Sequence, residues 1–106
     1  MEKEMEKENC NGKLEFEGDY LNGERNGKGK EYENNGILKY EGDYLNGYRN
    51  GKGKEYYDNG KLEFEGEYSK GKRWNGKKYN LNGNIEFTIN SFIVKAFCTF
   101  DLILIL

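Results

Sequence analysis

This sequence contains few side chains that could catalyse a reaction, and those present do not form the usual pairs of nucleophile and base. Histidine is absent, and serine occurs only as Ser69 and Ser91. Neither Cys10 nor Cys98 has a plausible base beside it, and a hydroxyl or thiol nucleophile needs such a base to be activated. We therefore expect a protein that is not an enzyme.

Two recurring patterns imitate ligand-binding motifs. The acids Glu15, Glu17 and Asp19 have copies further along the chain, and this repetition favours a solvated strand face over a two-carboxylate active site. The G-K-G-K at residues 27–30 and 51–54 lacks the spacing and the following Ser or Thr of a phosphate loop. Two cysteines without recurring spacing make neither a metal site nor a disulfide framework. The sequence thus predicts no cofactor and no metal.

The elements that position these residues come from an internal repeat. The block at residues 18–41 is identical to the block at residues 42–65 at 18 of 24 positions, and such a period indicates a repeat architecture. Within one unit, Leu38, Tyr40 and Tyr44 alternate as in a strand, Asn46-Gly47 to Asn50-Gly51 predicts a turn, and residues 52–57 predict a returning strand. Each repeat is therefore predicted to be a β-hairpin.

Alternation along the first strand of each hairpin sorts its residues onto two faces. Leucine, aromatic residues and glycine fall on one face, and acids fall on the other. At the glycine positions an aromatic ring from a neighbouring strand is expected to lie flat over the backbone, where a Cβ would obstruct it. We therefore predict a structural role for Gly18, Gly42 and Gly66.

These positions closely resemble the MORN repeat, the membrane occupation and recognition nexus motif. The central copy matches at Tyr40, Gly42, Tyr44, Gly47, Gly51, Gly53 and Gly60. The copy before it matches at Phe16, Gly18, Tyr20, Gly23, Gly27, Gly29 and Gly36. The third copy begins with Phe64, Gly66, Tyr68 and Gly71 and then loses the G-x-G. The resemblance covers about residues 12–83 and implies a platform that binds proteins or membrane surfaces.

The fold expected from the repeats is all-β, a single-layer elongated array of about three stacked hairpins. Residues 1–10 are expected to be a charged, solvated or weakly helical tail. Residues 11–90 are the predicted array, with repeats at about 12–35, 36–59 and 60–83 and a partial fourth. Residues 91–106 form an apolar tail with two interpretations, a cap over an exposed aromatic face or a membrane anchor.

Two surfaces are candidates for binding. Recurrent cations at Arg25, Arg49, Arg73, Lys28, Lys52 and Lys77 are predicted to form a basic ridge that contacts anionic lipid. The alternative is that such cations pair across strands with acids. Recurrent aromatic residues at Tyr20, Tyr44, Tyr68, Tyr40 and Phe64 are a candidate partner surface, with packing as the alternative.

The function expected from these features is a non-catalytic scaffold or adaptor for another protein. Association with an anionic membrane surface is the alternative, and a regulatory repeat portion of a larger enzyme is a third hypothesis. The net charge of −2 gives no attraction to nucleic acid, and self-association stays open. A charged N-terminus without an apolar segment predicts a cytoplasmic protein, with membrane association as the alternative.

Overall fold

A computed structural model describes residues 4–10 and 13–90, and side chains for residues 6–8 and 13–90. The described residues form one antiparallel sheet of eight strands, which lie side by side in sequence order. The strands are β1 (Glu4–Cys10), β2 (Lys13–Leu21), β3 (Glu24–Tyr32), β4 (Leu38–Leu45), β5 (Tyr48–Tyr56), β6 (Leu62–Ser69), β7 (Lys72–Tyr79) and β8 (Ile85–Asn90). The predicted all-β, single-layer array of hairpins is confirmed.

The N-terminal segment differs from its prediction. Residues 4–10 are not a solvated or helical tail but strand β1, which pairs with β2 from Glu4 opposite Tyr20 to Cys10 opposite Lys13. The high charge of this segment favoured the prediction of a solvated tail. In the structure one of its acids, Glu8, instead pairs with an arginine of the neighbouring hairpin. The predicted tail at residues 91–106 lies outside the described residues.

Tight two-residue turns join the strands of each hairpin. Asn22-Gly23, Asn46-Gly47 and Lys70-Gly71 all have positive φ at both positions, as type I′ turns require. The predicted longer turn from Asn46 to Gly51 is wrong, because strand β5 already begins at Tyr48. Residues 50 and 51 instead lie within β5, opposite a register irregularity between Gly42 and Tyr44.

One face of the sheet, which we call the aromatic face, carries the core of the protein. The six rings of Phe16, Tyr20, Tyr40, Tyr44, Phe64 and Tyr68 are buried. They meet edge to face, with ring centroids 5.1 to 5.7 Å apart, a favourable geometry for aromatic pairs. The contacts of Phe16 with Tyr44 and of Tyr40 with Tyr68 cross from one hairpin to the next. Consecutive repeats therefore share one continuous core.

A row of glycines crosses the sheet beneath these rings. It contains Gly18, Gly29, Gly42, Gly53, Gly66 and Gly76, which pair directly across neighbouring strands. A methyl group at Gly29 would lie 2.6 Å from Cζ of Phe16, and one at Gly42 would lie 2.5 Å from Cα of Gly53. Both distances are shorter than van der Waals contact, so the row leaves no room for side chains.

Substituting Gly42 by alanine should destabilise the protein by about 1 to 3 kcal/mol, because the methyl group would overlap the backbone of β5. Thermal unfolding followed by circular dichroism would measure the change. Gly36→Asn is the matched control, since nothing lies within 4 Å of its Cβ position and asparagine tolerates its φ of 86°. Equal melting temperatures for the two variants would contradict the proposed packing role of the row.

Candidate functional site

Each hairpin carries an arginine that lies over an aromatic ring on the aromatic face. In the central hairpin, Cζ of Arg49 is 4.3 Å from the ring centroid of Tyr40. Its Nε and Nη2 atoms donate to the carboxylate of Glu31 at 2.8 and 3.2 Å, and the hydroxyl of Tyr44 donates to the same carboxylate. The guanidinium and the carboxylate together cover the rings from solvent.

The same cluster occurs in the hairpins on either side. Arg25 lies 4.0 Å from the centroid of Phe16 and binds Glu8, and Arg73 lies 4.7 Å from the centroid of Phe64 and binds Glu55. Each glutamate belongs to the strand preceding the hairpin that supplies the arginine. The ion pairs therefore bind consecutive repeats together.

Backbone hydrogen bonds at the turns reinforce this connection. The amide of Gly47 donates to the carbonyl of Arg25 at 2.9 Å, and the amide of Gly71 donates to the carbonyl of Arg49 at 2.8 Å. The turn of one hairpin thus rests on the arginine of the hairpin before it. The arginine connects neighbouring repeats through both its side chain and its backbone.

The ionisation of the glutamates depends on these contacts. Burial by itself would raise the pKa of Glu31, but hydrogen bonds from Arg49 and Tyr44 outweigh burial and hold that pKa below its ordinary value. The pKa of Glu55 is lowered in the same way, against burial, by Arg73 and Tyr68. Both carboxylates are therefore charged at neutral pH, as a partly buried ion pair requires.

The predicted aromatic partner surface lies inside this core. Tyr20, Tyr44, Tyr68, Tyr40 and Phe64 are between 0% and 8% exposed. Their positions match the packing alternative, and these rings offer almost no surface to a partner.

The six predicted lipid-contact residues do not form one ridge. Arg25, Arg49 and Arg73 lie on the aromatic face, where acids pair with them. Lys28, Lys52 and Lys77 line a groove on the opposite face. In the first two repeats the arginine and the lysine are three residues apart. Residues separated by an odd number of positions in a strand lie on opposite faces of the sheet. The glutamate partners Glu8, Glu31 and Glu55 were not identified from the sequence.

The opposite face, which we call the charged face, carries two rows of side chains that alternate in sign across the strands. The first ladder is Glu17, Lys30, Glu41, Lys54, Glu65 and Lys77, on β2 to β7. The second ladder is Asp19, Lys28, Asp43, Lys52 and Glu67, on β2 to β6. Lys28 and Asp43 form an ion pair within the sheet. Neither ladder offers a continuous positive surface.

The acids of the first ladder are held in place by tyrosines. The hydroxyls of Tyr32, Tyr56 and Tyr79 donate to Glu17, Glu41 and Glu65 at 2.7 to 2.8 Å. Burial and the hydrogen bond to the acid together raise the pKa of Tyr32 and of Tyr56 to about 12. These phenols stay protonated at physiological pH, so they remain donors that fix the ladder.

An open groove of about 780 Å³ runs across the charged face. Its floor is the glycine row and its walls carry the charged side chains of the two ladders. Six strands at about 4.8 Å spacing give a floor about 24 Å long. We call this feature the glycine groove, and it is large enough to receive part of another macromolecule.

Two exposed apolar side chains at the tip of the central hairpin were not identified from the sequence. Leu45 and Tyr48 are paired neighbours at the tip of the central hairpin and are 48% and 59% exposed. Alternation from the buried Tyr44 and from Arg49 places both on the charged face. The available signal was the repeat alignment, in which Glu24 and Lys72 occupy the positions equivalent to Tyr48.

Other chemistries find no support in the part of the chain that the structure describes. Among residues 4–10 and 13–90 there is no group of three or more His, Cys, Asp or Glu residues that could hold a metal ion. The same residues contain no helix that is long and apolar enough to cross a membrane.

Comparison with known families agrees with the internal repeat. Residues 16–37 match the MORN repeat, and residues 49–70 match the MORN repeat variant. A search of curated proteins returned no match. The first segment spans the turn and second strand of the first hairpin, and the second segment spans most of β5 and all of β6, so the chain carries MORN repeats.

The stability of the arginine clusters should depend on pH through their glutamates. Because the pKa of Glu31 is lowered on folding, its contribution is complete above the ordinary glutamate pKa of about 4.3 and is lost as the pH falls through the lower folded value. Glu31→Gln should therefore cost about 1 to 3 kcal/mol at pH 7. This cost should shrink below about pH 4.

Thermal unfolding from neutral to acidic pH would measure this difference. The control is Glu15→Gln, because Glu15 is an exposed acid of strand β2. A Glu31→Gln variant as stable as wild type at neutral pH would show that the ion pair does not bind the repeats together.

Proposed function

We propose that this chain, a MORN-repeat protein, is a non-catalytic scaffold that binds a protein partner through its charged face. The observation that supports this function is the exposure of Tyr48, 59%, beside Leu45 at the tip of the central hairpin, on the same face as the glycine groove. Tyrosine in such a position is a good anchor for a protein interface because it offers a large rigid contact area and a polar group.

The ring of Tyr48 lies near the turn of the next hairpin, 3.5 Å from the Cβ position of Gly71, but the repeat does not demand an aromatic residue here. Its equivalents in the neighbouring hairpins are Glu24 and Lys72, and these hairpins form the same turn and the same strand pairing. The fold therefore tolerates an acid or a base at this position. A large aromatic residue that the fold does not need, exposed on a face with a groove, favours a role in binding.

The two ladders would supply specificity for the partner. Their charges alternate with the strand spacing, so a partner surface must present the complementary alternation to bind without unpaired charges. The backbone that forms the floor of the glycine groove lies open to a partner between the two ladders. Anchoring by Tyr48 and discrimination by the ladders are separate contributions.

An anionic membrane surface is the second candidate. It is favoured by the exposure of the lysines on the charged face, since the Lys28 side chain is 80% exposed. Each such lysine near an anionic surface contributes about 1 kcal/mol. The alternating acids of both ladders oppose this attraction, and for that reason we prefer a protein partner.

Crosslinking should locate the partner. A photoreactive phenylalanine analogue replacing Tyr48 in the full chain should yield crosslinked proteins in an extract of the source cells, identified by mass spectrometry. The same analogue at Glu24 or Lys72, the equivalent positions of the other hairpins, is the matched control. Equal crosslinking at all three positions, or none at position 48, would contradict a Tyr48-centred surface.

Vesicle binding would test the second candidate. Wild-type protein should not co-sediment with vesicles of phosphatidylserine and phosphatidylcholine at moderate salt, because the acids of the ladders offset the lysines. Strong co-sedimentation that disappears in the triple variant Lys28→Glu, Lys52→Glu and Lys77→Glu would favour the membrane function instead.

A further inference from the structure

We infer that the occupant of the charged face is a second copy of this chain, related to the first by a twofold axis that runs parallel to the strands between β4 and β5. This inference rests on the proposed function, because it names the partner of the same surface. Homodimers with twofold symmetry bring the same patch of both copies together, so the patch must be complementary to itself.

The first ladder meets this condition. Rotation about the stated axis places β4 over β5 of the second copy, β3 over β6 and β2 over β7. Glu41 then faces Lys54, Lys30 faces Glu65, and Glu17 faces Lys77 of the second copy. All six positions of the ladder meet opposite charges, because the signs alternate over an even number of strands.

The second ladder gives the same result under the same rotation. Asp43 faces Lys52 and Lys28 faces Glu67 of the second copy, while Asp19 faces the uncharged Asn75. A twofold axis perpendicular to the strands in the sheet plane would instead place the first ladder over the second. Each strand of β2 to β6 carries the same sign in both ladders, so like charges would then meet. Only the axis parallel to the strands is compatible with both ladders.

The exposed apolar pair lies where this axis requires contact. Leu45 is on β4 and Tyr48 is on β5, so Leu45 of one copy faces Tyr48 of the other, and the contact occurs twice. These side chains are 48% and 59% exposed in a single copy. The pair supplies apolar burial that ion pairs alone do not, because desolvation offsets much of their attraction.

The expected interface is small. Six strands span about 24 Å, and the ladders with the Leu45–Tyr48 pair span about 20 Å along the strands. The buried area is therefore about 1,000 Å² for both copies together, which is typical of transient complexes rather than permanent ones. The dimer should form reversibly and should weaken as salt is added, because dissolved ions screen the attraction between the facing charges.

Sedimentation velocity of the full chain over a wide range of micromolar concentrations, at low and high salt, tests the inference. Wild type should pass from monomer to dimer as its concentration rises. An acidic variant, Lys28→Glu with Lys52→Glu, and a basic variant, Asp43→Lys with Glu67→Lys, should each remain monomeric. An equimolar mixture of the two should dimerise again, since positions 43 and 52, and positions 28 and 67, then face each other with opposite charges.

Two further variants separate the interface from other effects. Lys13→Glu with Lys61→Glu makes the same change in net charge as the acidic variant, at exposed positions away from the ladder positions used, and should dimerise like wild type. Tyr48→Glu, which introduces the residue of the first hairpin, should weaken dimerisation at least tenfold. Circular dichroism would establish that each variant is folded. If a charge variant does not fold, the effect of Tyr48→Glu on dimerisation alone tests the inference.

The outcomes distinguish this inference from the proposed function. A wild-type chain that stays monomeric, or a dimer insensitive to both Tyr48→Glu and the charge exchange, overturns the inference. If position 48 nevertheless crosslinks to a different protein, the scaffold function stands without the dimer. If position 48 crosslinks neither to a second copy of this chain nor to a different protein, both the inference and the proposed function fail.

Discussion

A guanidinium held between an aromatic ring and a glutamate of the preceding strand is the interaction on which this sheet depends. A β-sheet normally buries one face against a second layer of structure, and the described residues form one sheet alone. Arg25, Arg49 and Arg73 supply the missing cover, since each lies within 4.7 Å of a ring centroid. Cation–π contact and charge-assisted hydrogen bonds contribute here together, about 0.5 to 3 kcal/mol each.

The glycine row links this core to the opposite face. Rings on the aromatic face lie so close to the backbone that the positions beneath them cannot carry a Cβ. The Cβ positions of the glycines point to the aromatic face, under the rings, so on the charged face the backbone of the row lies between the side chains of the two ladders. The glycine groove is the space between these ladders. The core and the proposed binding surface therefore lie on opposite sides of the same row of backbone.

The fold followed from the sequence because its determinants are local and repeated. The turn pairs, the two-residue alternation and the glycine positions each specify the hairpin independently. The arginine contacts did not follow, because Glu31 and Arg49 are far apart in the chain and meet only through the strand order. Strand β1 was missed for the same reason: its edge pairing and the contact of Glu8 with Arg25 are not visible in a charged segment read alone.

The candidate site was harder to predict than the fold because the fold follows from the repetition, while the candidate site rests on a departure from it. The recurrent arginines and aromatic rings stood out in the sequence, and the structure uses them for packing. Tyr48 differs from the equivalent residues of the other copies, and this difference was its only signal in the sequence. Its side chain is exposed, and the other hairpins form without an aromatic residue at this position. In an array whose copies share one fold, a residue present once cannot be explained by what all copies need. The position of Tyr48 on the face that the core leaves open therefore favours a constraint from outside the chain.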